Sequence, residues 1–357
     1  MALSDAARQA WPPFVLVTGL LLIGVVAHAD GLFAWAGDRL ERLLGPPAAL
    51  LAGGIGLVAV VTAVLNLDTA VVFLTPVLVL AARGRGIDER PFLYAAVYLA
   101  NASSLYLPGS NLTNLLVLAR DPLPGGTFAA RLLAPALAAS VATAAGVWLL
   151  FRRELRAPQP QPGAPPRPGV TLDRSACVGV VAAAAAAAVT LALAEPALPV
   201  LAIGLLATAV EIARGRLAAG GVLRAIGPAV LVPLFLASVA LGTLARAWSG
   251  PAELLAGASR LGTAAIGALA AVGLNNLPAT VLLSAQPPPH PRALLIGLNL
   301  GPNLAVTGSL SAYLWFRAAR QVGSRPSVAA FSARGVVLAP LAILAALVAA
   351  TVLQTPD

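Results

Sequence analysis

The chain has 357 residues, of which 59% are apolar and only 10% are charged, and its formal net charge is +9. Soluble globular proteins carry about 25% charged residues, so this composition excludes an ordinary water-soluble protein. Every basic residue is an arginine, which excludes a Walker A nucleotide site because that loop requires a lysine. The arginines stand singly in loops, so the positive charge does not predict a nucleic-acid partner.

The small number of metal-ligating side chains further limits the kinds of site that the chain can form. Two histidines and one cysteine are present, whereas a zinc site needs three or four clustered ligands. The sequence therefore predicts neither a metal nor a cofactor. It also has no His-Glu-x-x-His motif and no paired-aspartate motif, so an intramembrane enzyme is disfavoured.

Long apolar stretches follow one another from the N-terminus onward and predict an all-α polytopic membrane protein in a lipid bilayer. The first stretch follows Arg8 and ends in Ala27-His28-Ala29, so a cleavable signal peptide is an alternative to a first helix. Residues 31–45 alternate apolar and charged side chains and predict an amphipathic helix at the membrane interface. The predicted membrane segments are 14–29, 47–65, 70–82, 91–119, 127–151, 175–194, 197–213, 225–247, 261–274, 278–286, 291–316 and 335–353.

Two of these segments, 70–82 and 278–286, are too short to cross a membrane alone, since a spanning helix needs about 20 apolar residues. Each follows a longer apolar stretch after a short polar break. Irregular backbone at membrane depth is tolerated only inside protein or beside a wet cavity. The pattern therefore predicts two re-entrant helical hairpins, 47–82 and 261–286, with their tips inside the membrane.

The chain also repeats itself. Asn66 aligns with Asn275, Asn101 with Asn299, and Asn111 with Ser309. Small polar residues interrupt the predicted helices 91–119 and 291–316 at matching places. Paired hairpins and broken helices predict two inverted repeats, each with a re-entrant hairpin and a broken transmembrane helix. The repeats are 1–156 and 175–357, joined by a Pro-rich cytoplasmic linker at 157–174.

The arginine distribution predicts how the chain is oriented. Most arginines fall on the side of the central linker if the two hairpins enter from opposite faces. Cytoplasmic loops carry an excess of basic residues, so the linker is predicted to be cytoplasmic and the N-terminus external. We expect a multi-pass protein of the bacterial cytoplasmic membrane.

Asp68 is the one acid predicted near the membrane centre. An ionisable side chain there costs at least about 2.5 kcal/mol, which predicts a proton or cation site. The alternative is that Asp68 caps the helix that follows it. The predicted binding region contains no arginine, which favours a neutral solute. The full candidate set comprises Asn66, Asp68, Thr69, Asn101, Ser110, Asn111, Thr113, Asn275, Asn276, Asn299, Asn303, Thr307 and Ser309.

Three short motifs carry a family resemblance: SNLTNL at 110–115, NNLP at 275–278 and LGPNLAVTGSL at 300–310. Together they resemble the bacterial arsenite/antimonite efflux permease family, within the ion transporter superfamily, from about residue 11 to 353. The resemblance implies a homodimeric secondary active transporter that exports arsenite or antimonite by proton antiport. It also implies an elevator-type motion against a scaffold and, in some members, a separate soluble ATPase, which here would be another chain.

The chain departs from that family at two positions and looks about two helices shorter at its N-terminus than long members. Asn299 and Asn303 stand where some members carry Asp and Lys, so proton coupling is predicted to fall to Asp68. Two alternatives stay open within the superfamily: a sodium-coupled carrier of carboxylates or inorganic anions, and a sodium/proton antiporter. In both, sodium would be a coupling or exchanged ion.

Overall fold

In the computed structural model, residues 2–42, 45–118, 123–156 and 177–352 are described, and they form a bundle of α-helices. The Pro-rich linker predicted at 157–174 lies outside the described residues. The helices are α1 Ala2–Ala29, α2 Leu32–Glu41, α3 Pro47–Val64, α4 Leu67–Gly84, α5 Arg90–Ser103, α6 Leu112–Leu118, α7 Gly125–Leu150, α8 Arg152–Arg156, α9 Cys177–Ala192, α10 Ala197–Ala213, α11 Ala219–Ile226, α12 Pro228–Ala247, α13 Gly250–Ala256, α14 Arg260–Leu274, α15 Asn276–Leu283, α16 Pro291–Leu300, α17 Leu310–Gln321 and α18 Val328–Val352.

Several helices have the dimensions of membrane spans. Within the described ranges, six are long and apolar enough to cross a bilayer, which makes the chain a multi-pass membrane protein. They are Leu3–Ala29, Pro47–Val64, Leu67–Gly84, Gly125–Leu150, Ala219–Ala247 and Val328–Val352. Leucine and valine side chains on the outer faces of α7, α10, α12 and α18 are exposed, as expected for surfaces in contact with lipid.

Both predicted hairpins are present, but their second arms differ from the prediction. The arm predicted at 70–82 is the 18-residue helix α4. At 1.5 Å per residue it is about 27 Å long, so the prediction that it is too short to cross was wrong. The helix starts earlier because Asn66 caps it, and it continues past the last apolar residue to Gly84. The matching arm α15 has only eight residues.

Both predicted helix breaks are also present. In the first half, α5 ends at Ser103, a 3₁₀ turn spans Pro108–Ser110, and α6 begins at Leu112. In the second half, α16 ends at Leu300 and α17 begins at Leu310, with two 3₁₀ turns between them. Proline and glycine at these points interrupt the helical hydrogen bonds and leave backbone groups free for other partners.

The first helix is a central element of the bundle. It packs against α9, α10 and α12, and its side chains Ile23 and Val26 are completely buried. Its backbone touches α10 directly, because a Cβ added to Gly19 would lie 2.8 Å from the Leu201 Cα. Small residues at such crossings let membrane helices approach closely. Helix α1 therefore forms a buried, closely packed surface beside which the first hairpin and the first broken helix lie.

Candidate functional site

A small cavity lies where both hairpin tips and both helix breaks meet. Its volume is about 30 Å³, enough for only a few water molecules. Five polar side chains line it: Asp68, Asn111, Asn276, Ser309 and Ser311. Apolar side chains complete the wall, among them Val17 of α1 and Leu231 and Leu234 of α12. The cavity is thus bounded by the repeat-related elements on one side and by α1 and α12 on the other.

Four helices begin at this cavity. Helices α4, α6, α15 and α17 start at Leu67, Leu112, Asn276 and Leu310, and these four first residues all line the cavity. The first turn of a helix has N–H groups without intrahelical partners and carries a partial positive charge. The sequence produces this convergence because a polar or extended residue precedes each start. The result is a chamber that favours oxygen atoms carrying partial or full negative charge.

The first hairpin tip separates the capping role from the acid. The Asn66 Oδ1 accepts a 2.7 Å hydrogen bond from the Thr69 N–H and so caps α4. The alternative prediction, that Asp68 is the cap, was wrong because Asn66 already occupies the N-cap position. Asp68 lies half-buried in the first turn and belongs to none of the ion pairs that the described residues make. Its carboxylate is therefore available to the cavity.

The second hairpin tip is held differently. Asn275 has φ 75°, a backbone region that side chains rarely adopt, and its Oδ1 accepts a 3.4 Å bond from the Leu277 N–H. Its Nδ2 donates to the Thr307 carbonyl at 3.2 Å, which ties the tip to the second helix break. Asn276 reaches across the site, and its Nδ2 donates to the Thr113 Oγ1 at 3.3 Å. The tip is thus bonded to both broken helices.

Asn299 is the centre of a buried amide network behind the cavity. Its Oδ1 accepts from the Asn111 Nδ2 at 2.7 Å and from the Ser104 Oγ at 2.6 Å. Its Nδ2 donates to the Asn114 Oδ1 at 2.9 Å and to the Leu295 carbonyl at 2.8 Å. Every hydrogen-bonding atom of the Asn299 amide is engaged, so this side chain orients Asn111 rather than facing the cavity itself.

A second amide pair also joins the two halves. The Asn101 Nδ2 donates to the Asn303 Oδ1 at 2.8 Å, and the Asn303 Nδ2 donates to the Tyr98 carbonyl at 3.2 Å. Both side chains are fully buried. Asn299 and Asn303 therefore belong to separate pairs, each connecting the first broken helix to the second. Buried polar networks of this kind fix a unique arrangement of the elements they join.

The predicted residues thus divide into cavity-lining and supporting groups. Asp68, Asn111, Asn276 and Ser309 line the cavity, whereas Asn66, Thr69, Asn101, Thr113, Asn275, Asn299 and Asn303 hold the elements around it. Ser110 donates to the Ala63 carbonyl at 3.2 Å and so joins the first break to the first hairpin. Thr307 is exposed and donates to the Val272 carbonyl at 2.8 Å, outside the cavity.

Three side chains at this site were missed by sequence reasoning. Ser104 and Asn114 both contact Asn299, and Ser311 lines the cavity. Asn114 lies inside the SNLTNL motif, and Ser311 follows Ser309 by two residues, where its hydroxyl lies 2.6 Å from the Ser309 Oγ. The repeat alignment could have indicated Ser311, because it aligns with Thr113. It could not indicate Ser104 and Asn114, which align with Pro302 and Ala312.

Comparison with known proteins agrees with this architecture. Residues 5–297 match the family model described as citrate transporter, CitMHS. A stretch of 151 residues, 41% of this chain, is 29% identical to the arsenical pump membrane protein of Yersinia enterocolitica. That match covers 35% of the relative, so the chain spans about a third of its length. The structure also resembles the Alcanivorax borkumensis YdaH transporter, whose crystal structure is described as having an unusual topology. The TM-score is 0.60 at 15% identity, covering 99% of this chain and 87% of that one, a likeness of fold.

Proposed function

The chain belongs to the citrate transporter family, CitMHS, and from this premise we propose that it exports arsenite or antimonite in exchange for protons. Membership makes it a secondary transporter of the ion transporter superfamily. The observation that carries the proposal is the cavity lining, which combines neutral amides and hydroxyls with one carboxylate and, among the described residues, no basic side chain. The relative named as an arsenical pump membrane protein supports the same substrate.

Trivalent arsenic and antimony are neutral hydroxides at physiological pH, with three hydroxyl groups that both donate and accept hydrogen bonds. The amides of Asn111 and Asn276 and the hydroxyl of Ser309 provide both kinds of partner. A citrate ion would instead bring three negative charges beside Asp68. Burying unpaired like charges together is strongly unfavourable. The lining therefore favours a neutral hydroxylated solute over a polycarboxylate.

The proposed mechanism uses Asp68 as the exchange point. When ionised, its carboxylate accepts hydrogen bonds from substrate hydroxyls; when protonated, it loses acceptor capacity and the substrate leaves. Proton binding from outside and substrate binding from inside then exclude each other, which is antiport. Because the cavity has room for only a few water molecules, the hairpin tips must separate before a solute can enter.

The moving unit in this proposal comprises the two hairpins and two broken helices, and α1, α10 and α12 form the scaffold. The two inverted repeats, 1–156 and 175–357, supply half of the moving unit each. We further propose a homodimer in the bacterial cytoplasmic membrane, with elevator-type motion. Where an ATPase takes part, it is a separate soluble chain.

A carboxylate carrier is the second candidate, and two observations favour it. The family model is described as a citrate transporter, and four helix N-termini converge on the cavity, as suits a bound anion. Such a carrier requires the Asp68 charge to be neutralised by a proton or sodium ion that travels with the substrate. The two candidates therefore predict opposite directions of coupling, antiport and symport.

Everted membrane vesicles distinguish the two candidates. Respiring vesicles are acidic inside, so a proton antiporter accumulates its substrate whereas a proton symporter expels it. We expect gradient-dependent accumulation of radiolabelled arsenite or antimonite, abolished by a protonophore and absent in vesicles without the protein. The same vesicles are tested in parallel for citrate uptake and for uptake driven by a sodium gradient. Uptake of citrate driven by sodium or protons in right-side-out vesicles, with no arsenite accumulation in everted ones, would overturn the proposal and support the second candidate.

A further inference from the structure

Two depressions on the surface occupy equivalent positions on the two broken helices. The spacing that aligns Asn101 with Asn299 also aligns Pro108, Leu115 and Leu118 with Val306, Tyr313 and Phe316. The first three residues line a pocket of about 460 Å³, and the second three line a groove of about 630 Å³. Each depression begins at a helix break and follows the helix away from the central cavity.

The two depressions are walled differently. The first pocket is closed on its far side by α1, through Arg8 and Trp11, and by the connection from α9 to α10, through Glu195 and Pro196. In the groove, the lining beyond the second broken helix and its break comes from Val328 at the start of α18. No element of the described residues takes the place of the α9–α10 connection there. No described element covers the open side of the groove, and residues 291–316 are a predicted membrane segment, so lipid is expected to reach this side of α17.

The groove changes from apolar to basic along its length. Val306, Tyr313 and Phe316 line one end, and Arg317 and Arg320 lie three residues apart at the other. Both arginines are exposed, and among the described residues neither takes part in an ion pair. Their positive charges are therefore free to meet a ligand, and residues three apart on a helix share one face.

The acid at this end of α17 is already neutralised. Glu89 forms an ion pair with Arg83, whose Nη1 donates to the Val322 carbonyl at 2.6 Å and whose Nη2 donates to the Ser324 Oγ at 3.2 Å. Arg83 thereby also binds a backbone carbonyl at the C-terminal end of α17, that of Val322. The end of the groove is left with a net positive charge supplied by Arg317 and Arg320.

We propose that this groove binds an anionic phospholipid. The headgroup phosphate lies between Arg317 and Arg320, and an acyl chain lies along Phe316 and Tyr313 toward Val306. A basic end and an apolar wall, open to the membrane, match the two parts of such a molecule. The positive-inside distribution puts this end on the cytoplasmic side, where anionic lipids attract basic residues. The site is independent of which solute is transported.

The position of the groove gives the lipid an effect on transport. Val306 lies in the second helix break, and Ser309, three residues further on, lines the central cavity. A lipid seated in the groove contacts the element that must move when the hairpin tips separate. Its binding therefore stabilises the conformation in which the groove is open, and α17 couples lipid occupancy to the site.

The test uses the purified full-length protein in phosphatidylcholine nanodiscs, titrated with phosphatidylglycerol. We expect a saturable rise in melting temperature and retained phosphatidylglycerol adducts in native mass spectrometry. The double substitution Arg317→Gln/Arg320→Gln removes two basic contacts. It should raise the phosphatidylglycerol fraction needed for half-saturation about 30-fold. The matched control is Arg152→Gln/Arg156→Gln, which removes two exposed charges from α8 and should behave as wild type.

Several outcomes would overturn the proposal. One is an equal response in the groove variant and wild type; another is an equal loss in the α8 control, which indicates general charge attraction. An equal shift with inorganic phosphate in neutral nanodiscs assigns the groove to a soluble anion. Native mass spectrometry could also show a dimer without bound lipid in the wild type but not in the groove variant. That result would assign the groove to a second copy of the chain. If the Gln variant does not fold, Arg317→Lys/Arg320→Lys must retain phosphatidylglycerol binding that weakens with salt.

Discussion

The two hairpin tips meet at one cavity but present their polar groups in opposite order. The first tip contributes Leu67 followed by Asp68, and the second contributes Asn276 followed by Leu277. The alignment of Asn66 with Asn275 pairs a leucine with a polar residue at each of these positions. The cavity is therefore symmetric in its construction and asymmetric in its chemistry. Only the first tip can change its charge, so the proposed mechanism assigns proton coupling to one hairpin and solute recognition to both.

The tips also differ in how tightly they are held. A Cβ added to Gly24 of α1 would lie 2.6 Å from the Thr69 Cγ2, whereas one added to Gly242 of α12 would lie 3.3 Å from the Val281 Cγ1. At these two points the first hairpin lies closer to α1 than the second lies to α12. The side chain in close contact at Gly24, Thr69, follows the titratable Asp68 directly in the first turn of α4.

The largest expected effect follows from removing the single charge. In Asp68→Asn, we expect gradient-driven accumulation in everted vesicles to disappear, because the amide cannot be protonated within the transport cycle. Exchange of substrate between the two sides at equal pH should persist, since the amide still hydrogen-bonds. The measurement compares arsenite accumulation with and without a pH gradient.

The control for that variant is the opposite tip. Asn276→Ser keeps a polar side chain in the cavity and removes no charge, so it should weaken substrate affinity and leave the pH dependence of transport intact. If Asp68→Asn still accumulates substrate with full pH dependence, the division of labour between the tips is wrong.

The second effect concerns packing of the tips against the scaffold. Gly24→Ala forces Thr69 to move at a fully packed contact, and overpacking of this kind costs about 1–3 kcal/mol. We expect initial transport rates to fall about tenfold if this cost falls on the moving state. In Gly242→Ala the nearest atoms, which include the Arg246 Nη1 at 3.2 Å and the Val281 Cγ1 at 3.3 Å, need to shift by only a few tenths of an ångström, so the rate should change less than in Gly24→Ala. If the two substitutions change the rate and the melting temperature equally, the inferred difference in packing at these two contacts is wrong.

The third effect is on stability and depends on the backbone conformation at the two hairpin tips. Asn275 has φ 75°, so Asn275→Ala should be less stable than Asn275→Gly by about 2 kcal/mol, since both variants lose the side-chain hydrogen bonds and only the glycine relieves the backbone strain. Asn66 has an extended backbone, so the gap between its Ala and Gly variants should stay below about 1 kcal/mol. Thermal unfolding of the four variants in detergent measures both gaps. A similar gap at the two positions would contradict the assignment of strain to the second tip.

Sequence reasoning found the architecture because its signals are periodic and repeated. The hairpins, the breaks and the pairing of Asn66 with Asn275 all follow from apolar length and from polar interruptions at matching positions. It misjudged the length of α4. The apolar stretch stops before the helix ends at Gly84, and the cap at Asn66 starts the helix at Leu67, before the predicted first residue. Boundaries of this kind depend on individual hydrogen bonds, which a pattern of hydropathy does not contain.

The roles of individual candidate residues were less predictable than their positions. Asn299 resembles a binding residue in the sequence, yet its amide is fully engaged by Ser104, Asn111 and Asn114. Thr307 lies in the second break, yet its side chain bonds to α14 outside the cavity. Whether an amide faces the cavity or supports it depends on contacts across some 200 residues of sequence, and one sequence without relatives cannot reveal those contacts.

The smallest expected effect tests the neutral tip through its one cross-site bond. Thr113→Val keeps the branched shape and removes the hydroxyl that accepts from the Asn276 Nδ2 at 3.3 Å. Losing a buried hydrogen bond costs about 1 kcal/mol, so we expect about fivefold weaker apparent substrate affinity. The matched control is Thr75→Val on α4, a site that is also buried. The Thr75 hydroxyl has no partner among the described residues, so its removal should change affinity little. Because Thr113 acts on the tip without a titratable group, its variant should leave the pH dependence unchanged. A shift in that dependence would mean that the two tips titrate as one unit, and that Asn276 helps set the charge state of Asp68.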